Sequence, residues 1–338
     1  MCGICGEIRF DGSQPSVETL QTMSAVLAPR GPDASGLLQM NQLGIAHRRL
    51  KIIDLSEHAQ QPMLDNELGL GIVFNGCIYN YRALRAELRA LGYRFFSQGD
   101  TEVILKSYHA WGIACVDRFH GMFAFAICER DSGRLILARD RLGIKPLYVT
   151  TVNNGLRFAS TLPALLAAGG IDTSIDPVAL HHYMSFHSVV PAPHTLLKGV
   201  RKLPPATIRV VEPDGRSRDH RFWTLRFETP RDEAELGYED WQERTLAALR
   251  TAVERRLVAD GPVGVLLSGG LDSSLIVGLL AEQGQQGLNT FSVGFEAAGG
   301  EKGDEFEYSN IVARHFDTEH HKIFVDSRRL LPSLEQCV

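Results

Sequence analysis

The chain has 338 residues, with 35 basic and 40 acidic side chains and a formal net charge of −5. Its 44% hydrophobic and 22% charged content is that of a globular protein, with length for about two domains. The mildly acidic balance excludes a general nucleic-acid binder, which carries a basic excess, and no apolar run approaches the ~20 residues that span a bilayer. The start, MCGICGEIRF, lacks the basic segment and apolar core of a secretory signal. The six cysteines (Cys2, Cys5, Cys77, Cys115, Cys128 and Cys337) are sparse, and only the first two are close. A disulfide framework is excluded, and a reducing, cytoplasmic location is expected.

In chain order, residues 5–10 (CGEIRF) read as a strand ended by an Asp11–Gly12 turn. Val17, Leu20, Met23 and Leu27 recur at helical spacing. Residues 43–47 and 50–54 are expected as strands. Residues 70–74 form an apolar run before Asn75–Gly76, a turn signal. Residues 81–91 and 102–111 read as helices, and residues 122–128 and 134–138 as a hairpin around Asp131–Gly133. A second hairpin is expected for residues 207–212 and 217–223, around Pro213, Asp214 and Gly215. Residues 227–238 are polar and charged and read as a linker, with the domain boundary near 230. A helix over 239–258 follows. Residues 262–267, 288–295 and 320–325 then read as strands separated by helices ending near 283 and 316. That β-α-β-α-β order favours a doubly wound parallel sheet.

Cys2 follows the initiator Met. Met removal would place a thiol and a free α-amine on one residue, and such an amine titrates at about 7.7–8.0. It can therefore serve as the base for its own thiol. Two other readings compete: an ordinary early residue, or a Cys2–Cys5 redox or zinc half-site. No second CxxC completes a zinc site. Further along, residues 263–267 lead into Ser268, Gly269, Gly270, Leu271, Asp272, Ser273 and Ser274. Glycines and a following helix N-terminus suit phosphate binding. The lysine of a Walker A loop is absent, so pyrophosphate binding is expected rather than γ-phosphate transfer.

The run MCGICG, Arg30-Gly31-Pro32-Asp33, His47-Arg48-Arg49-Leu50, Asn75-Gly76-Cys77-Ile78-Tyr79-Asn80, Gly99-Asp100-Thr101-Glu102, Gly121-Met122-Phe123-Ala124 and Arg139-Asp140-Arg141-Leu142-Gly143-Ile144-Lys145-Pro146 is ordered through nearly all of the first domain. It resembles the class II glutamine amidotransferase domain of the asparagine synthetase B family. The resemblance implies an α+β N-terminal-nucleophile hydrolase, a four-layer αββα sandwich, over residues 2–226. It implies that Cys2 attacks the glutamine side-chain amide and forms a thioester, with Asn75 and the Gly76 N–H stabilising the oxyanion. Arg49, Leu50, Lys51, Ile52, Ile53, Asn75, Gly76, Cys77 and Asp100 would line the glutamine pocket, Arg49 on the carboxylate and Asp100 on the ammonium. Taken singly, Arg49 equally suits a solvated charge and Asp100 a turn. The family commonly has Glu where this chain has Cys77.

The SGGLDSS run resembles the N-type ATP pyrophosphatases, implying a partial α/β domain of that type over 239–338. ATP would bind at Leu267, Ser268, Gly269, Gly270, Asp272, Ser273, Ser274 and Val293, with Asp272 toward Mg2+. Ammonia would then amidate a carboxylate activated as an acyl-adenylate. The acceptor is aspartate by family default. Several stretches, such as NGCIYN and HHKIFV, are similar to N-acetylglutaminylglutamine amide synthases, which favours a dipeptide. The family's synthetase domain continues beyond residue 338, so the second domain is expected to be incomplete. A homodimer is the expected assembly. Competing readings are a stand-alone hydrolase of glutamine or another amide, and a non-catalytic nucleotide-binding or redox protein.

Overall fold

The computed structural model describes residues 1–228, 230, 233, 235–297, 303–326 and 328. The chain divides into two units, Met1–Glu228 and Thr229–Val338. Part of the expected linker, and the end of the chain from 329, lie outside the described residues.

The first unit runs β1 (Gly3–Arg9), α1 (Val17–Val26), β2 (Ala34–Met40), β3 (Leu43–Arg49), β4 (Met63–Asp65), β5 (Leu70–Ile78), α2 (Tyr81–Ala90), α3 (Asp100–Trp111), β6 (Gly121–Glu129), β7 (Leu135–Arg139), β8 (Tyr148–Val152), β9 (Gly155–Ala159), α4 (Leu162–Ala167), α5 (Pro177–Ser185), β10 (Arg201–Lys202), β11 (Thr207–Val211) and β12 (Ser217–Arg221). The strands form two six-stranded sheets, β10-β8-β9-β1-β3-β2 and β12-β11-β7-β6-β5-β4. Their inner faces share one core. Ile4, Ile8, Leu43, Ile45 and Phe158 of the first sheet meet Val73, Ala124, Ala126, Leu135 and Leu137 of the second. Alternation sends the intervening residues outward. Cys5, Ala46 and Ala159, which are register partners, pack under α1 and α4 with Leu20, Met23 and Leu165. On the other outer face α3 packs against β5 and β4, with α2 beside it. Helix, sheet, sheet and helix make four layers.

Two expectations are corrected. Residues 50–54 are not a strand. β3 ends at Arg49, whose guanidinium turns back to the carbonyls of Asp54 and Ser56 and holds the following segment as a loop. Asn75–Gly76 is not a turn either. Both residues lie inside β5, opposite Ala124 and Phe123 of β6. A Cβ on Gly76 would stand 2.2 Å from the Met122 carbonyl oxygen, so the glycine serves close strand approach rather than a reversal. β2 was not foreseen from the sequence.

The second unit runs α6 (Tyr238–Arg256), β13 (Gly264–Leu266), α7 (Leu271–Glu282), β14 (Asn289–Phe295), α8 (Phe306–His315) and β15 (Glu319–Val325). Its strands are parallel in the order β13-β14-β15. Val265, Leu267, Val277, Leu280, Leu288 and Ala313 form its core. Among the described residues no helix is long and apolar enough to cross a membrane.

Candidate active site and nucleotide loop

Cys2 stands one residue before β1. By strand alternation it continues the inward face of Ile4 and Ile8. The Leu50 N–H donates to its Sγ at 3.4 Å, and the thiol donates to the Leu50 carbonyl at 3.6 Å. Burial raises the thiol's pKa, while the Leu50 backbone opposes the rise. Arg30 Nε donates to the Cys2 carbonyl at 3.1 Å. Cys5 belongs to a different environment. It is fully buried under the helices, with its thiol pushed up to about 12 by burial. None of Cys2, Cys5, Cys77, Cys115 and Cys128 is in a disulfide, and the partition of Cys2 and Cys5 to opposite faces of β1 leaves no redox pair.

Asn75 continues the inward face of Val73 on the facing sheet. It is 1% exposed, and its Nδ2 has no hydrogen-bond partner among the described residues. A buried amide donor without an acceptor is costly, about 1–3 kcal/mol. It is explained if a ligand oxygen supplies the acceptor.

The edge of β5 explains the rest. β4 covers β5 only from Leu70 to Ile72. Beyond that point side chains replace the missing strand. Phe74 N–H donates to Gln61 Oε1 at 2.6 Å, and Ile78 N–H donates to Asp100 Oδ2 at 2.9 Å. Alternation places the Gly76 N–H on the same edge, between these two.

Arg49 is 3% exposed. Its Nη1 donates to Ser56 O at 2.9 Å and its Nη2 to Asp54 O, which leaves further N–H groups for a carboxylate. The Asp54 carboxylate accepts from Gln98 N–H at 2.6 Å and from Ser56 Oγ at 2.5 Å, so the loop after Arg49 is tied to the segment before Asp100. Arg85 holds that segment from behind, through the carbonyls of Ser97 at 2.6 Å and Gly99 at 2.7 Å. Asp100 opens α3 and is 5% exposed. Burial pushes its carboxyl up to about 6 against the N–H groups it accepts. Cys77 is buried, its thiol pushed up to about 12 by burial and then by Asp100. Leu50 flanks the thiol. Lys51 instead pairs with Glu57 at 3.0 Å, and Ile52 is exposed. Sequence reasoning missed His47, Gln61, Asp54 and Arg85; His47 alone carried a signal, through its place beside Arg48 and Arg49.

In the second unit, Ser268, Gly269 and Gly270 join β13 to α7. Gly270 caps α7 without any side-chain hydrogen bond to its first turn, so those N–H groups face outward as an anion site. Gly269 has φ +93, and a Cβ there would lie 2.6 Å from Ser309 N. Ser268 Oγ sits 3.1 Å from Ser273 Oγ, and Ser274 Oγ donates to Gly270 O at 2.7 Å. Ser268 and Val293 line a cavity of about 300 Å³ with Phe295 and Phe306. Leu267 is buried in the core rather than on that wall. Asp272 is exposed in the first turn of α7. Among the described residues no three His, Cys, Asp or Glu converge on a metal position. The Asp272 carboxylate in the first turn of α7, with the Ser268 hydroxyl before it and the Ser273 hydroxyl after it, is a donor set that fits Mg2+ delivered with phosphates, which needs only one or two protein carboxylates.

Residues 1–223 match the family of glutamine amidotransferase domains, and residues 244–338 match the asparagine synthase family. Glutamine-hydrolyzing asparagine synthetase 3 of Bacillus subtilis (strain 168) is 33% identical over 352 residues, covering 100% of this chain and 56% of that protein. Synthetase 1 of the same organism is 38% identical over 302 residues, covering 88% of this chain and 46% of that protein. A putative asparagine synthetase of Methanocaldococcus jannaschii is 36% identical over 352 residues, covering 97% and 65%. The chain thus spans about half the length of the curated relatives it matches. The solved glutamine phosphoribosylpyrophosphate amidotransferase of B. subtilis aligns with a TM-score of 0.53 at 14% identity, over 96% of this chain and 90% of that one; this likeness speaks for fold alone.

Proposed function

Since the chain belongs to the glutamine-dependent asparagine synthetase family, with an N-terminal-nucleophile hydrolase unit followed by part of an ATP-pyrophosphatase domain, we propose that it releases ammonia from glutamine at Cys2 for transfer to an activated carboxylate. The observation that supports the first half is an inward thiol at the start of one sheet together with a buried amide on the facing sheet, Asn75 Nδ2, that has no partner among the described residues.

With Met1 removed, the α-amine of Cys2 takes the thiol proton. The sulfur attacks the glutamine side-chain carbonyl carbon. Negative charge develops on the carbonyl oxygen, where the Asn75 amide and the Gly76 N–H receive it. The protonated amine returns its proton to the leaving nitrogen and ammonia departs, leaving a γ-glutamyl thioester. Water then attacks that thioester, and glutamate leaves. Arg49 takes the substrate carboxylate, and Asp100 takes the ammonium without the carboxylate that the family usually places at Cys77. Burial keeps these charges strong by excluding water.

In the second unit, ATP would lay its phosphates on Ser268, Gly269, Gly270, Ser273 and Ser274 and its base near Val293 and the Leu267 backbone. Mg2+ would arrive with the nucleotide and shield its phosphates, with Asp272 as the protein carboxylate at hand. The carboxylate acceptor is aspartate or an N-acetylated glutaminyl dipeptide. The decisive experiment on Cys2 is intact-mass analysis after treatment with a diazoketone analogue of glutamine. One covalent adduct on Cys2, loss of Met1, and loss of ammonia release in Cys2→Ala are expected. An unmodified Cys2 with glutaminase activity intact in Cys2→Ala overturns the reading.

A further inference from the structure

The peptide that carries Asn75 is gripped from the opposite sheet. His47 on β3 is 1% exposed, and its Nε2 lies 3.1 Å from the Phe74 carbonyl oxygen. A carbonyl only accepts, so Nε2 holds the proton. Nδ1 is then a buried acceptor, with no partner among the described residues. Burial pushes the ring's pKa down to about 4, which keeps it neutral. The N–H of the same Phe74 is held by Gln61, whose Nε2 in turn donates to Thr101 Oγ1 at 3.2 Å. Both polar groups of the residue before Asn75 are therefore fixed by side chains, at the point where the ladder has run out. An imidazole with an unpaired nitrogen costs stability in a core that an apolar side chain would fill without an orphan. That cost falls where the oxyanion donors are attached.

We propose that His47 is a positioning residue for the oxyanion donors. By fixing the peptide between Phe74 and Asn75, it sets where Asn75 Nδ2 and the Gly76 N–H point. This rests on the reading of Asn75 and Gly76 as those donors. His47 touches neither substrate nor thiol. Its effect is on the transition state, so it changes kcat and leaves the glutamine KM largely as it was.

The test measures glutamine hydrolysis per active site, counted by covalent labelling of Cys2 so that any misfolded fraction is discounted. His47→Phe and His47→Ala are expected to slow turnover roughly tenfold, less than the roughly hundred- to thousandfold loss that follows outright removal of a donor. His47→Gln, whose side-chain N–H reaches about as far as Nε2, is expected to restore most of the rate. In an Asn75→Ala background, His47→Phe is expected to cost a clearly smaller factor than in the parent, because one of the two donors it positions is gone and only the Gly76 N–H is left to misplace. Undiminished kcat in His47→Phe overturns the inference, as does a full multiplicative loss in the double variant. If Asn75→Ala alone leaves kcat unchanged, the oxyanion reading itself has failed and His47 has nothing to position.

Discussion

The Ile78 N–H donates to Asp100 Oδ2 at 2.9 Å, so the carboxylate proposed as the ammonium site is bound to the same strand edge that carries the Gly76 N–H. On the proposed reading, one end of the substrate is registered against its reacting amide by a buried carboxylate tied to the backbone of β5.

Asp100 makes glutamine capture pH-dependent. Its carboxyl is pushed up to about 6 by burial, and only the ionised form attracts an ammonium. The glutamine KM should rise as pH falls through about 6, separately from the fall in kcat expected as the Cys2 α-amine, the base for the thiol, takes up a proton from about pH 8 downward. The stability linkage runs the opposite way: a raised folded-state pKa gives stability that is fully present below about 3.9 and is lost as pH rises through about 6. Asp100→Asn should flatten that limb of the KM profile and raise KM at neutral pH. Steady-state kinetics from mildly acidic to mildly alkaline pH check both.

The two N-terminal cysteines should separate cleanly. Cys2→Ser should reduce ammonia release by several orders of magnitude, since the alcohol is the poorer nucleophile. Cys5→Ala should leave turnover intact and cost about 1 kcal/mol through a small cavity beneath α1 and α4. Chemical denaturation and a coupled glutamate assay read the pair. A Met1-retaining form, recognised by mass, should be inactive because its amine sits on the wrong residue.

Gly76→Ala tests the strand assignment directly. The added methyl would meet the Met122 carbonyl oxygen at 2.2 Å and Phe123 Cα at 2.8 Å, so β5 and β6 must separate there. Turnover should slow by roughly a hundredfold or more, because the displaced N–H is one of the two proposed oxyanion donors. The unfolding midpoint should fall as well. If residue 76 were in an Asn-Gly turn instead, alanine would carry only the strain of a positive φ, about 1 kcal/mol, and would not force two strands apart.

The two glycines of the nucleotide loop should respond unequally. Gly269→Ala combines a φ of +93 with a methyl 2.6 Å from Ser309 N. It should cost about 1–3 kcal/mol and weaken Mg-ATP binding. At Gly270 the φ is −72 and a Cβ would meet only Ser268 Oγ at 3.4 Å, so alanine should be mild. Thermal unfolding and calorimetric titration with Mg-ATP distinguish the two.

Much of the fold was legible in the chain itself. Period-2 and period-3.6 patterns located β1, α1, α2, α3 and both hairpins, and Ser268–Gly270 announced the β13–α7 loop. Local pattern failed where a distant group decides. Residues 50–54 are apolar enough for a strand, but the Arg49 guanidinium claims the carbonyls downstream and bends the segment. Asn-Gly commonly reverses a chain, yet here the glycine lets β6 approach. The roles of His47 and Gln61 depend on Phe74, 27 and 13 residues away in sequence. No spacing rule identifies which peptide a buried ring will meet.

The shortness of β4 has a further consequence. The flank of β5 beyond Ile72 is a ladder without a strand, with the Phe74 and Ile78 N–H groups taken by the Gln61 and Asp100 side chains and the Gly76 N–H between them. Were β4 to begin four residues earlier in the same register, the carbonyl of residue 59 would occupy the Gly76 N–H. The sandwich would survive and recognition would vanish. On the proposed reading, selectivity depends as much on where a neighbouring strand stops as on which side chains surround the gap.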